Sequence, residues 1–324
     1  MKAILCQEHG TPDTLTFEDI AEPRLESGQV RIAVKACGVN FPDVLMVAGK
    51  YQMQPPLPFS PGAELAGEIL QVASDVTTFQ PGQRVLALSA CGGMAEQVCV
   101  PAQTVMPIAD EMPYETAAAF LLTYGTSYYA LQQRAQLQAD ETLLVLGAAG
   151  GVGLAAVDLG HRLGANVIAA ASSTEKLDIA REYGASMSIN YSTDSLKDRL
   201  RELTDGKGAD VIYDPVGGDL FDQCLRAVAW NGRILIIGFA SGTIPKIPAN
   251  LPLLKGASIV GVFWGRFVEK EAALHQQNTR QLFAWYAAGD IRPKISRTFP
   301  LKDAADAIAM LAERRAIGKV VVTI

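Results

Sequence analysis

The sequence predicts an α/β protein in two parts, a β-rich domain of barrel character and a doubly wound parallel-sheet domain. Three observations predict it. The apolar run 143–146 is followed by the turn Gly147-Ala148-Ala149-Gly150-Gly151-Val152-Gly153 and then by a small-residue helix start. Strand-like and helix-like segments alternate from about 123 to 262, the pattern of a parallel sheet. Residues 1 to about 120 read as short strands separated by turns.

In chain order, residues 30–36 alternate as a half-buried strand should. Residues 63–72 and 84–88 are further strands, with Pro81-Gly82 as a turn between them. Pro55, Pro56, Pro58 and Pro61 stiffen the segment from Tyr51 to Gly62 into a loop. The alternating part supplies strands at 143–146, 167–171, 188–190, 210–214, 234–238 and 258–262. Helices fall at 175–183, 196–203 and 220–229 between them. A helix near 269–288, a second near 301–313 and a terminal strand 319–324 complete the chain. That last strand pairs most simply with the β-rich part, which makes the first domain discontinuous: 1–122 with 263–324, around 123–262.

At 324 residues and 49% hydrophobic content the chain can bury one or two large cores. A net charge of −6 with no block of like charges argues against binding to nucleic acid or an anionic membrane surface. No apolar run approaches the about 20 residues that span a bilayer, and the N-terminus reads as a strand. A soluble cytoplasmic protein is expected. The five cysteines are scattered, without C-x-x-C spacing, against a disulfide framework or structural zinc. His9, His161 and His275 show no ligand spacing.

The chemistry centres on the glycine turn. A strand delivers the turn, the glycines admit a pyrophosphate, and the helix N-terminus offers free N–H groups and partial positive charge. The fingerprint reads Ala148-x-Gly150-x-x-Gly153. After the next strand, where an NAD site places a carboxylate, stand Ser172, Ser173 and Thr174, with Lys176 beyond. Hydroxyls and a lysine suit a 2′-phosphate, so the cofactor expected is NADPH. The same residues also read as a helix cap followed by a solvated lysine.

Residues 36–43 (ACGVNFPD), 61–67 (PGAELAG) and the 147–153 turn together resemble the medium-chain dehydrogenase/reductase superfamily. The nearest resemblance is to its zinc-independent, zeta-crystallin-like quinone oxidoreductase branch. That implies a GroES-like β-barrel domain plus a Rossmann domain. Where zinc alcohol dehydrogenases of the superfamily carry a Cys ligand this chain has Asn40, and Ala63 replaces their His; the resemblance therefore implies no metal.

It also implies the site residues. Asn40 and Tyr51 are the catalytic candidates, with Asp43 and Trp264 lining the substrate pocket. Gly150, Gly151, Val152 and Gly153 carry the pyrophosphate; Ser173, Lys176 and Tyr191 stand at the 2′-phosphate. Thr123, Gly238, Phe239 and Phe263 lie toward the nicotinamide, and Lys319 reaches the cofactor. Tyr51 reads either as a general acid or as an aromatic packing against the cofactor.

The expected activity is NADPH-dependent reduction of quinones or similar electrophilic conjugated carbonyls. Such acceptors spread the developing charge and need no metal to polarise them. The alternatives are an enoyl-thioester or alkenal reductase with Tyr51 as proton donor, and a non-catalytic NADPH-binding protein. A homodimer is expected, with the edge strand 258–262 as its seam.

Overall fold

In the computed structural model, which describes residues 1–324, the chain enters as an antiparallel strand pair, β1 (Lys2–Leu5) and β2 (Thr16–Asp19). The long strand β3 (Gln29–Val39) follows, then helix α1 (Phe41–Val47), β4 (Glu64–Val72), β5 (Arg84–Leu88), β6 (Gln97–Pro101), β7 (Val105–Pro107) and the short α2 (Tyr114–Ala117). The alternation in β3 is that of a half-buried strand. Val30, Ile32 and Val34 enter a core with Leu65, Ile69, Val85, Val98 and Val100, while Lys35 stays exposed.

The second unit begins with α3 (Leu121–Tyr128), extended by a π-helical turn over Tyr129–Arg134. Its elements are then β8 (Thr142–Leu146), α4 (Gly151–Arg162), β9 (Asn166–Ala171), α5 (Thr174–Glu182), β10 (Met187–Asn190), α6 (Leu196–Leu203), β11 (Ala209–Asp214), α7 (Asp219–Ala227), β12 (Val228–Ile236), α8 (Asn250–Lys255), β13 (Ser258–Gly261), α9 (Trp264–Lys270) and α10 (Ala272–Ala287). All six strands are parallel, in the order β10-β9-β8-β11-β12-β13. The order reverses beside β8. Ligands of open α/β sheets bind at the carboxyl ends of strands at such a point. Leu143, Leu144, Val145 and Leu146 are fully buried, as a central parallel strand requires.

The chain then returns to the first unit as β14 (Ile295–Pro300), α11 (Ala304–Ala312) and β15 (Lys319–Thr323). β15 pairs antiparallel with β3, Val320 opposite Val39 and Thr323 opposite Ala36, and parallel with β14. The sheet runs β14-β15-β3-β4-β5-β7, and β6 also pairs with β3. The terminal strand therefore joins the β-rich part as expected.

The units are 1–121 with 293–324, and 122–292. This corrects the expected boundary at 263, because residues 263–292 pack within the parallel-sheet unit. Tyr129 stacks on Phe267 with centroids 4.0 Å apart, and Gln133 and Asn278 exchange amide hydrogen bonds of 3.2 Å. The single helix expected near 269–288 is two helices. They are divided at Glu271, whose backbone (φ −127°, ψ 47°) leaves the helical region. β12 also starts six residues earlier than expected and ends at Ile236, leaving Gly238 in the loop beyond.

His275 lies buried on α10, edge-on to Trp264 and Phe267, and its Nε2 has no hydrogen-bond partner. Burial lowers its pKa to about 4. The unfolded chain takes up this proton at about pH 6.5 and the folded chain does not, so stability is lost as pH falls through the window from about 6.5 to 4. Asp43, raised to about 6, acts with the opposite sign over part of that window, so the comparison must isolate His275. His275→Leu should flatten the fall in urea-unfolding free energy between pH 7 and pH 5. An identical fall in variant and parent would refute the assignment.

Candidate functional site: a nucleotide turn and a buried polar cluster

In the second unit, β8 runs into the glycine turn. Gly147 adopts φ +56°, which favours glycine, and its carbonyl accepts from the Gly150 N–H at 2.9 Å. A side chain at Gly153 would run into that same carbonyl, so only glycine lets the helix start this close to the strand end. Gly150 caps α4, and Gly151, Val152 and Gly153 form its first turn. Donors in a first turn have no acceptor within the helix and favour an anion.

At the end of β9, Ser173 caps α5 by accepting from the Lys176 N–H at 3.4 Å, and Lys176 Nζ donates to Ser172 Oγ at 3.4 Å. Ser173 thus serves as the helix cap, with the Ser172 hydroxyl and the Lys176 ammonium beside it. Tyr191 is held by its N–H on the Ala171 carbonyl, and Ser192 Oγ donates to the Ser172 carbonyl at 3.0 Å. Ser192 brings a further hydroxyl to this place. It was missed because only the β10–β9 pairing carries it there.

Thr123 is buried on α3. Phe239 packs where a side chain at Gly217 would stand, and Phe263 is 54% exposed. Trp264, expected in the substrate pocket, is buried within this unit. Its ring fills the space beside Gly125 and meets His275 edge-on. An indole of that size finds more apolar contact inside than at a wet wall.

In the first unit, Asn40, Asp43, Glu64 and Lys319 form one buried cluster. Lys319 Nζ donates to Asn40 Oδ1 at 2.5 Å and to Glu64 Oε2 at 3.0 Å. An ammonium only donates, so the amide must turn its oxygen to Lys319. Its nitrogen then donates to the Gly38 carbonyl and to Glu64 Oε2, both at 3.1 Å. Both amide hydrogens of Asn40 are thus engaged.

Asp43, expected in the substrate pocket, is fully enclosed. Its two oxygens accept from the N–H groups of Asn40 (2.8 Å) and Gly62 (3.0 Å), tying the start of α1 to the loop before β4. Burial, opposed by these two donors, raises its pKa to about 6. Lys319, expected to reach the cofactor, donates here to Asn40 and Glu64, β15 delivering it into the interior. Tyr51 lies half-buried on the loop after α1. Burial first, and the Asp43 carboxylate second, raise its phenol's pKa.

This donor set does not fit a zinc ion. The two positions that would carry ligands hold a carboxamide and a methyl group, and an ammonium in hydrogen-bond contact with Asn40 repels a second cation. Lys319→Met should leave Glu64 buried without its counter-charge and cost about 3–5 kcal/mol. Lys319→Met combined with Glu64→Leu should cost less than the single change. Additive losses in denaturant unfolding would show that the pair is not coupled.

Comparisons with known proteins agree across both units. The alcohol dehydrogenase GroES-like domain family matches residues 26–110, and the zinc-binding dehydrogenase family matches 151–283. A quinone oxidoreductase-like protein 2 homolog of Nematostella vectensis is 44% identical over 325 residues, covering 99% of this chain and 88% of that protein. A quinone oxidoreductase of Pseudomonas aeruginosa is 36% identical, covering 99% of this chain and 98% of its own. The structure of Escherichia coli quinone oxidoreductase complexed with NADPH superposes with a TM-score of 0.94 at 29% identity, covering all of both chains.

Proposed function

The chain belongs to the zinc-independent quinone oxidoreductase branch of the medium-chain dehydrogenase/reductase superfamily, and on that premise we propose that it is an NADPH-dependent reductase of quinones and similar electrophilic conjugated carbonyls. The observation that carries the cofactor choice is the end of β9. Ser172, Ser173 and Lys176 stand there together, with no carboxylate before Glu175. The names of the Pseudomonas and Escherichia coli relatives support the acceptor class.

When bound, NADPH supplies a hydride. The first-turn N–H groups of Gly151, Val152 and Gly153, capped by Gly150, hold the pyrophosphate. Ser173 and Lys176 hold the 2′-phosphate with Tyr191 beside it, and Thr123, Gly238, Phe239 and Phe263 serve the nicotinamide end. Asn40 and Tyr51 are assigned to the acceptor. With both amide hydrogens of Asn40 engaged, that residue offers an acceptor and a fixed shape and does not donate a proton. The Tyr51 phenol, its pKa raised, stays protonated at neutral pH and keeps a proton to give. That supports a second reading, an alkenal or enoyl-thioester reductase with Tyr51 as the acid.

Turnover of NADPH and NADH with a para-quinone, a 2-alkenal and a short enoyl thioester tests the assignment. Quinone reduction with NADPH alone is expected, and Lys176→Ala should raise the NADPH KM tenfold or more while leaving the NADH KM within twofold. Equal losses for both cofactors would remove Lys176 from the 2′-phosphate site. Preference for the thioester or alkenal would favour the Tyr51 reading, and no turnover with any acceptor a binding-only protein.

We place a homodimer seam along β13, the end strand of the parallel sheet. Trp230, Leu253 and Leu254 near it are 70%, 78% and 69% exposed, a cost that burial against a second copy relieves. All five cysteines are free thiols, which fits a reducing, cytoplasmic compartment. Sedimentation should show a dimer at micromolar concentration and a monomer for Leu253→Asp with Leu254→Asp. A monomeric parent would sink the seam.

A further inference from the structure

Tyr213 is fully buried in the middle of the parallel sheet, with no part in the site described above. On β11 its backbone lies opposite Val145 of β8, the strand that leads into the glycine turn. Its hydroxyl lies 2.9 Å from Ser127 Oγ, and Ser127 Oγ lies 2.9 Å from the carbonyl of Val152, in the first turn of the helix that leaves the glycine turn. A carbonyl only accepts, so the Ser127 proton goes to Val152. Tyr213 must then donate to Ser127. The result is a directed chain from Tyr213 O–H through Ser127 O–H to the Val152 carbonyl, each bond polarising the next in a dry interior.

One residue thus holds both flanks of the turn, the incoming strand through the sheet and the outgoing helix through Ser127. Six residues further along α4, Tyr124 donates to Asp158 at 2.7 Å, so α3 grips α4 at two levels, and the Ser127 level is the one beside the turn. The turn's own backbone bonds run from the Gly150 N–H to Gly147 and from the Leu154 N–H to Gly150, and the Ala148 N–H ties its entry to Ala170 of β9; none of them reaches across to β11.

We infer that Tyr213 and Ser127 form a clamp across the 147–153 turn and act as positioning residues for the dinucleotide pyrophosphate. The inference rests on the NADPH reading above. The clamp touches no cofactor atom. It sets how far the first-turn N–H groups stand from the strand end, a distance to which hydrogen bonds to a phosphate are sensitive. It should act on the part of the cofactor that NADPH and NADH share.

The test separates the clamp from plain stability. Ser127→Ala alone strands a buried phenol, which destabilises any core. Ser127→Ala with Tyr213→Phe removes both polar groups together, and such paired removal is close to neutral for folding. The double variant should melt near the parent yet bind NADPH and NADH five- to tenfold more weakly, by the same factor for each. Its Gly150 and Leu154 amides should exchange hydrogen about tenfold faster in the absence of cofactor, while those of β9 are unchanged. Ser127→Thr, which keeps the hydroxyl, should restore both.

Parent-like exchange at Gly150 and Leu154, or parent-like affinity, would overturn the clamp; so would a loss confined to NADPH, which would point to the 2′-phosphate. If the double variant fails to fold, Tyr213→Phe alone decides, with a two- to threefold loss of both affinities expected and no loss overturning it. A parent that binds neither cofactor would defeat the NADPH reading, and the exchange measurement would still decide whether the clamp exists.

Discussion

The antiparallel pairing of β15 with β3 is the constraint on which the rest depends. It joins residues 320–323 to residues 36–39 and makes everything between 122 and 292 an insertion within one sheet-forming unit. It also carries Lys319 to Asn40, 279 residues away in sequence. Closing so long a loop is entropically unfavourable, and the burial of Val320 and Val322 in the core with Cys37 and Val39 of β3, with the strand pairing itself and the Lys319–Glu64 ion pair, offsets that cost.

The first unit encloses a cation of its own, the Lys319 ammonium. A buried ammonium needs a counter-charge and further hydrogen bonds, and Glu64 and Asn40 supply them. Asn40 then extends the network through its own N–H to Asp43, and Asp43 to Gly62, so one cluster ties α1, β4, β15 and the loop before β4. Asn40, at a position where zinc enzymes of the superfamily carry a ligand, thus holds elements of this unit together.

The second unit works by opposite means. Its site is built from backbone: a turn narrow enough that only hydrogen fits at Gly153, first-turn donors aimed away from the helix, and short hydroxyl side chains at the next strand end. Side chains enter one layer back, where Ser127 and Tyr213 lock the flanks of the turn together. Lys176 stands beside the hydroxyls at the strand end, its ammonium donating to Ser172 Oγ.

By itself the sequence determined the two-part architecture, the parallel sheet, the glycine turn, the hydroxyl-and-lysine end of β9 and the return of the last strand to the β-rich unit. These are signals of local pattern: hydrophobic period, glycine spacing and residue type within a few positions of one another. The tertiary structure alone decided that Trp264 is packing against Gly125, that residues 263–292 belong with the parallel sheet, that Lys319 and Asp43 face inward, and that Ser127 meets Tyr213. Each of those depends on which partner a side chain finds across a long stretch of chain. Spacing along the sequence carries no record of that. A lysine after a glycine looks the same whether it turns to solvent, to a phosphate, or to a glutamate on another strand, and the burial and charge around it select among the three.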